Sequence, residues 1–260
     1  MKCRETEMKT HHQAVYQQFD EQANSYLTSQ VHAQGEDLLT LQQLLQAGQY
    51  ADVLDLGCGA GHVSFHAAPL VTSVTAYDLS DSMLSVVADN ASQRGLNNIR
   101  TCKGTAESLP FENNTFDLVL SRYSAHHWHD VEKALREVHR VLKPGGKGIF
   151  IDVVSPGHPL LDIYLQTVEV LRDTSHIRDY SAGEWSGMFN NAGLFVSGVK
   201  SFRLPLEFTS WVERMRTPQP LVEAIRQYQT TLSDEVKNHF AVQDDGSFTS
   251  DVMLFEFQRQ

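Results

Sequence analysis

Residues 53–61 read Val53-Leu54-Asp55-Leu56-Gly57-Cys58-Gly59-Ala60-Gly61. An apolar run enters a turn with glycine at three alternate positions. Glycine allows positive φ and lets a ligand approach with no Cβ in the way. A turn of this kind at the carboxyl end of a first strand is where open α/β sheets bind ligands. Asp55 is hard to explain as a link residue, because burying its charge near a strand end is costly without a partner. Asp78, in Tyr77-Asp78-Leu79 at the end of a second strand, follows Gly57 by 21 positions. An acid at that distance accepts hydrogen bonds from ribose hydroxyls in nucleoside-binding α/β folds. The dinucleotide fingerprint places glycine at the first, third and sixth positions. Counted from Gly57, this chain has it at the first, third and fifth, with His62 at the sixth. Asp55 would repel a pyrophosphate and suits an ammonium group. The implied ligand is an adenosine with a zwitterionic amino-acid tail.

Outward from this turn, hydrophobic periodicity alternates. A helix is expected over 36–47, a second over 62–70, a third capped by Ser80 and closed by Gly95, and a fourth from Asp130 to 142. Lys143-Pro144-Gly145-Gly146 stops the fourth. Strands are expected at 53–57, 71–79, 99–104, 116–121 and 148–154. This alternation predicts βαβ units and a mostly parallel, doubly wound sheet covered on both faces. Further on, helices are expected near 159–172 and 182–192, and strands at 194–202 and 251–258. The segment 209–240 reads as mostly helical, broken at Pro218 and Pro220.

The 260 residues suit one large domain, or one domain with an appendage. With 41% hydrophobic and 20% charged residues the composition is that of a globular chain with a full core. The net charge of −11 repels phosphate backbones and argues against a nucleic-acid binder. No stretch approaches the ~18 apolar residues of a membrane span, and the first ten residues lack the apolar core of a signal peptide. Cys3, Cys58 and Cys102 form neither a metal-ligand spacing nor a disulfide framework, which predicts a reduced, cytoplasmic protein.

VLDLGCGAGHVS resembles the first motif of class I S-adenosylmethionine-dependent methyltransferases. The likeness continues in order through AYDLS at 76–80, GTAESLPF at 104–111, FDLVLSRYSAHHWHD at 116–130 and LKPGG at 142–146. It covers about 50–155 strongly and VYQQFDEQANSYL at 15–27 more loosely. Within the family the chain looks most like the ubiquinone/menaquinone-biosynthesis-like small-molecule branch. The resemblance implies a Rossmann-like, seven-stranded α/β sheet with the last strand antiparallel, around 251–258. It implies S-adenosylmethionine as methyl donor and S-adenosylhomocysteine as product. Gly57, Cys58, Gly59 and Gly61 would surround the methionine portion, with Asp55 near its amino group. Asp78 would hold the ribose, with Leu79 and Met83 beside the adenosine. Thr105, Ala106 and Glu107 would line the adenine edge. Many relatives carry Asp where Thr105 stands, and threonine accepts a hydrogen bond from the adenine amino group more weakly. Ser121 and Arg122 would border the methionine. Composition and periodicity, together with this resemblance, divide the chain into a flexible 1–10, a helical lid over 11–48 and a methyltransferase domain over 49–260. Helical acceptor-site elements would lie in about 155–192 and 209–240.

Methyl transfer needs alignment of nucleophile and methyl carbon and exclusion of water. A general base is needed only where the acceptor loses a proton. His126 and His127 are the candidates. The other reading of Ser124–Asp130 is a segment that shapes the cofactor pocket and positions the next helix, with Trp128 packing. Adjacent histidines diverge and no thiolate completes a set, so no metal site is expected. Tyr16, Phe19 and Tyr26 share a helix face, either to dock that helix or to act as a lid favouring the sulfonium by cation–π attraction, with Tyr26 among the cofactor contacts. The aromatic and arginine content of 155–250, including Arg172, Arg178, Arg203, Arg214 and Arg216, suits an anionic or aromatic acceptor. Ser121-Arg122-Tyr123 replaces the Pro-Pro-aromatic motif of nucleic-acid amino-methyltransferases, so the expected partner is a small molecule. A cofactor-binding protein without transfer, or a nicotinamide-dependent oxidoreductase, are the alternatives.

Overall fold

The computed structural model describes residues 10–20 and 35–260, without the side chain of Asp20. Seven strands form one sheet: β1 Asp52–Leu56, β2 Ser73–Asp78, β3 Ile99–Lys103, β4 Phe116–Arg122, β5 Leu142–Val153, β6 Leu194–Leu206 and β7 Phe248–Arg259. Their order is β3-β2-β1-β4-β5-β7-β6. The first five are parallel, and β7 runs antiparallel to both β5 and β6. The expected antiparallel last strand is thus present and longer than 251–258. The order reverses between β2 and β4 on either side of β1, the switch point at which such sheets open a crevice.

Helices α1 His11–Asp20, α2 Glu36–Ala47, α3 His62–Ala67, α4 Asp81–Gln93, α5 Val131–Val141, α6 Pro159–Arg172 and α7 Ala182–Asn191 follow in order. They are succeeded by α8 Phe208–Arg214, α9 Gln219–Thr230 and α10 Asp234–Phe240. The caps agree with the residues: Ser80 accepts the Met83 N–H and Asp130 the Lys133 N–H. Ser181 and Glu184 close a capping box on α7. One sheet face is covered by α5 and α7 through Leu135, Val138, Trp185 and Phe189; the other by α2 and α3 through Leu38, Leu41, Leu45 and Val63. A separate apolar cluster joins α6, α8, α9 and α10 to the ends of β6 and β7.

Three expectations change. Lys143–Gly146 ends α5 but is drawn into β5 as a bulge, because the β4 pairing jumps from Leu142 opposite Phe116 to Lys147 opposite Leu118. Pro220 does not break the late helices; it sits in the first turn of α9, where a missing N–H costs nothing. The second break falls instead at 231–233.

Candidate active site

A cavity of about 1010 Å³ of open space lies at the carboxyl ends of β1, β2 and β4. Its floor is the glycine turn. The Tyr77 carbonyl accepts from both Gly57 and Cys58, and Asp78 Oδ2 accepts the Gly59 N–H at 2.9 Å. Asp78 Oδ1 accepts the Ser80 N–H at 2.9 Å. One carboxylate therefore ties the turn to the start of α4 while lining the cavity. Burial raises its pKa. Gly57 has φ +71, and a Cβ there would meet Ser124 Oγ at 1.9 Å. The strand-four end and the turn approach too closely for any other residue. A Cβ on Gly59 would project into open space.

Asp55 is 1% exposed. Its Oδ2 accepts from Ser64 Oγ at 2.6 Å, and its buried Oδ1 has no hydrogen-bond partner. Burial pushes this carboxyl up to about 7, with Asp78 adding to the rise. A buried acceptor without a donor is costly, and a positively charged donor is the group that relieves it.

The rim comes from three further directions. Beyond β4, Tyr123 has φ +51, and Ser124 Oγ accepts from Trp128 Nε1 at 3.0 Å. Arg122 is buried against Asp37 of α2 at 2.5 Å and lies 4.6 Å over the Tyr123 ring. Helix α1 crosses the mouth with His12, Val15 and Phe19. His11 Nε2 lies 3.0 Å from the His127 carbonyl, and His12 Nε2 lies 3.4 Å from Glu107 Oε2.

The segment after β4 builds a second cavity of about 600 Å³ of open space, sharing Phe19, Tyr123 and His127 with the first. His126 faces only the second. Its Nδ1 lies 2.7 Å from Asp152 Oδ1. Burial works against its cation, but the Asp152, Asp179 and Glu169 carboxyls together outweigh it, and the imidazolium persists to about 9. His127 is pushed the other way, to about 4, by burial and then by the His126 cation. Its Nδ1 lies 3.2 Å from the Ser175 carbonyl, which assigns the proton to Nδ1 and leaves Nε2 as an acceptor. Among the described residues no cluster of three His, Cys, Asp or Glu is arranged to hold a metal ion.

Asp55, Gly57, Cys58, Gly59, Asp78, Leu79, Met83, Thr105, Ala106, Glu107 and Arg122 all line the first cavity. Gly61 does not. It stands at φ +88 before α3, and a Cβ there would press on Phe65 and Val87, so its task is helix packing. Ser121 is not on the wall either. Neighbouring strand residues face opposite ways, and Ser121 is buried within β4 while Ser124 reaches the cavity. Glu107 accepts the Asp130 N–H at 3.2 Å, and its other carboxylate oxygen lies 3.4 Å from His12 Nε2. Tyr26 lies outside the described residues. Trp128 packs in the core as expected and also borders the cavity. Of the five arginines, Arg178 and Arg203 are held in ion pairs with Glu184 and Asp251, and only Arg172 and Arg214 reach the second cavity. Asp37 and His12 were missed in the sequence, whereas Ser124 belongs to the segment expected to shape the cofactor pocket. The signal of the two missed residues is purely spatial.

A family profile described as a methyltransferase domain matches residues 54–150. The chain is 59% identical over 200 residues to the uncharacterized protein YafE of Escherichia coli (strain K12), covering 77% of this chain and 97% of that one. It is 37% identical over 224 residues to the uncharacterized methyltransferase YcgJ of Bacillus subtilis (strain 168), covering 86% and 88%. The YcgJ crystal structure superposes with a TM-score of 0.82 at 34% identity, over 86% of this chain and 98% of that one. The demethylmenaquinone methyltransferase of Lactococcus lactis subsp. lactis (strain IL1403) is 36% identical over 121 residues, covering 45% and 47%. With the sheet order, the cavity at the switch point and a relative of this identity over most of both chains, the protein belongs to the methyltransferase family, in its S-adenosylmethionine-dependent class.

Proposed function

We propose that the first cavity holds S-adenosylmethionine and that the chain transfers its methyl group to a small-molecule acceptor lying in the second. The observation that carries this reading is Asp55 Oδ1: a buried carboxylate oxygen with no donor, beside a glycine turn open at Gly59. An amino-acid ammonium answers that oxygen. Asp78 would accept from the ribose hydroxyls with the lone pairs its two backbone contacts leave over. Leu79, Met83 and Ala106 supply apolar wall for adenine.

When bound, S-adenosylmethionine supplies a methyl group on a sulfonium, an excellent leaving group. The chain's own part is alignment and exclusion of water. Tyr123, His127 and Phe19 form the wall common to both cavities, where the two reactants would meet. His127 is neutral there and presents Nε2, so it is the candidate to take a proton from an acceptor O–H or N–H. His126 is set aside as a base, because Asp152 holds it as the cation. It is a positioning residue that keeps His127 neutral. Helix α1 acts as a lid over both cavities. Among the described residues no helix is long and apolar enough to cross a membrane; a cytoplasmic site of action remains part of this reading, from the cysteine pattern. The test is transfer from methyl-labelled donor into fractions of a cell extract. Label in the low-mass fraction supports the reading, and label confined to nucleic acid or protein defeats it.

A further inference from the structure

The second cavity has a surplus of acceptors. Asp173 and Asp179 are each 2% exposed, line the cavity, and each keeps one buried carboxylate oxygen, Oδ2, with no hydrogen-bond partner. Asp173 spends only Oδ1, on the Ser175 N–H at 2.8 Å and the Ser175 hydroxyl at 2.6 Å. Asp173 Oδ2 faces His127 Nε2 at 3.9 Å. With the His127 proton on Nδ1, two acceptors confront one another with no hydrogen between them. A donor entering the cavity satisfies both.

Two cations of the same wall are already held in ion pairs. His126 pairs with Asp152 at 2.7 Å, and Arg172 with Glu169 at 3.1 Å and the Trp211 carbonyl at 2.9 Å. Arg214 also lines the cavity and is engaged within the protein, although its buried Nε has no hydrogen-bond partner. The remaining surface is largely apolar: Leu204, Leu206, Trp211 and Met215. Burial, then the Glu169 carboxylate, raises the Asp179 carboxyl, a condition that a neighbouring cation reverses.

We propose that the second cavity is an acceptor subsite for a small amine, its N–H donor head held by Asp173 and Asp179 at the His127 rim and its apolar body against Trp211. This rests on the methyltransferase reading above and narrows it, because the sequence had suggested an anionic or aromatic acceptor. A carboxylate head would meet two unanswered carboxylate oxygens.

The test is calorimetric titration of the full chain, saturated with S-adenosylhomocysteine, with matched probes. Tyramine is compared with tyrosol and 4-hydroxyphenylacetate, and butylamine with butanol and butyrate. At least one amine is expected to bind ten times or more tightly than its carboxylate counterpart. Asp173→Asn or Asp179→Asn is expected to weaken that amine about tenfold or more, with S-adenosylhomocysteine affinity within twofold of the unmutated chain. Binding by neither amine, equal or tighter binding of the carboxylates, or amine affinity untouched in both variants overturns the proposal. The amine-to-carboxylate ratio is read on the unmutated chain, so it stands even if a variant does not fold. Failure of S-adenosylhomocysteine itself to bind strikes the cofactor reading instead, and amine selectivity is then read on the protein alone.

Discussion

Asp55→Asn separates what Asp55 costs the fold from what it gives the site. The unfolded carboxyl loses its proton near 3.8, whereas burial holds the folded one up to about 7. An acid raised in this way makes the protein less stable as pH climbs from about 4 to 7, and the loss is complete above 7. At pH 8 the gap corresponds to about 4 kcal/mol against the wild type relative to a neutral residue of the same shape; at pH 5 it is about 1.5 kcal/mol. Asparagine keeps a partner for Ser64 Oγ at Oδ2's place but buries an amide at the unpartnered position, which gives back about 1–3 kcal/mol at every pH. The absolute change is therefore small and its sign is not the test. The pH dependence is. Urea melts at pH 5 and 8 are expected to show the variant gaining about 2–3 kcal/mol on the wild type between the two. Calorimetry at pH 8 is expected to show S-adenosylhomocysteine binding at least tenfold more weakly, through loss of a charge-assisted contact. Wild-type affinity should also rise from pH 5 to 7 and then level off, and the variant should rise less. A stability difference that ignores pH, or an unchanged affinity, refutes the assignment of Asp55 as a buried carboxylate waiting for an ammonium group.

Asp78→Ala is expected to cost about 1.5–3 kcal/mol of S-adenosylhomocysteine affinity and to lower Tm, because the Gly59 and Ser80 amides lose their acceptor; full affinity in a folded variant removes the ribose assignment. Gly57→Ala places a Cβ 1.9 Å from Ser124 Oγ at φ +71 and should destabilise by about 1–3 kcal/mol. Adding Ser124→Gly should return the steric part, and strictly additive urea-melt energies would show that the two sites do not touch. His126, raised to about 9, stabilises the fold fully below about 6.5 and loses that contribution as pH rises through 9. The advantage of wild type over His126→Asn should shrink by up to about 3 kcal/mol between pH 6.5 and 10, and a constant difference would contradict the His126–Asp152 pair.

Local chemistry made the cofactor side legible in the sequence. The turn at Gly57 and Gly59, Asp55 before it and Asp78 after it act within one βαβ unit, so spacing alone places them together. Periodicity likewise gave the capped helices at Ser80 and Asp130. What escaped was set by side-chain direction and long-range approach. Strand alternation turned Ser121 inward, while Ser124, beyond the strand and after the positive-φ turn at Tyr123, reaches the cavity. Gly61 carries the same residue type as Gly57 and Gly59 but serves a packing contact with Phe65 and Val87. Asp37 reaches Arg122 across 85 positions, and Asp173 meets His127 across 46. No periodicity encodes such meetings. The arginines of 155–250 suggested an anionic ligand only because their counter-charges, Glu169, Glu184 and Asp251, could not be paired with them from sequence.

The central claim is that the glycine turn and Asp55 hold an adenosine with an amino-acid tail. The most direct measurement is calorimetric titration of the full chain with S-adenosylhomocysteine, with NADH in parallel. The account predicts one site per chain with a dissociation constant on the order of micromolar for the first, and no heat from the second. NADH binding without S-adenosylhomocysteine binding would mean that the turn cradles a pyrophosphate, and would contradict it.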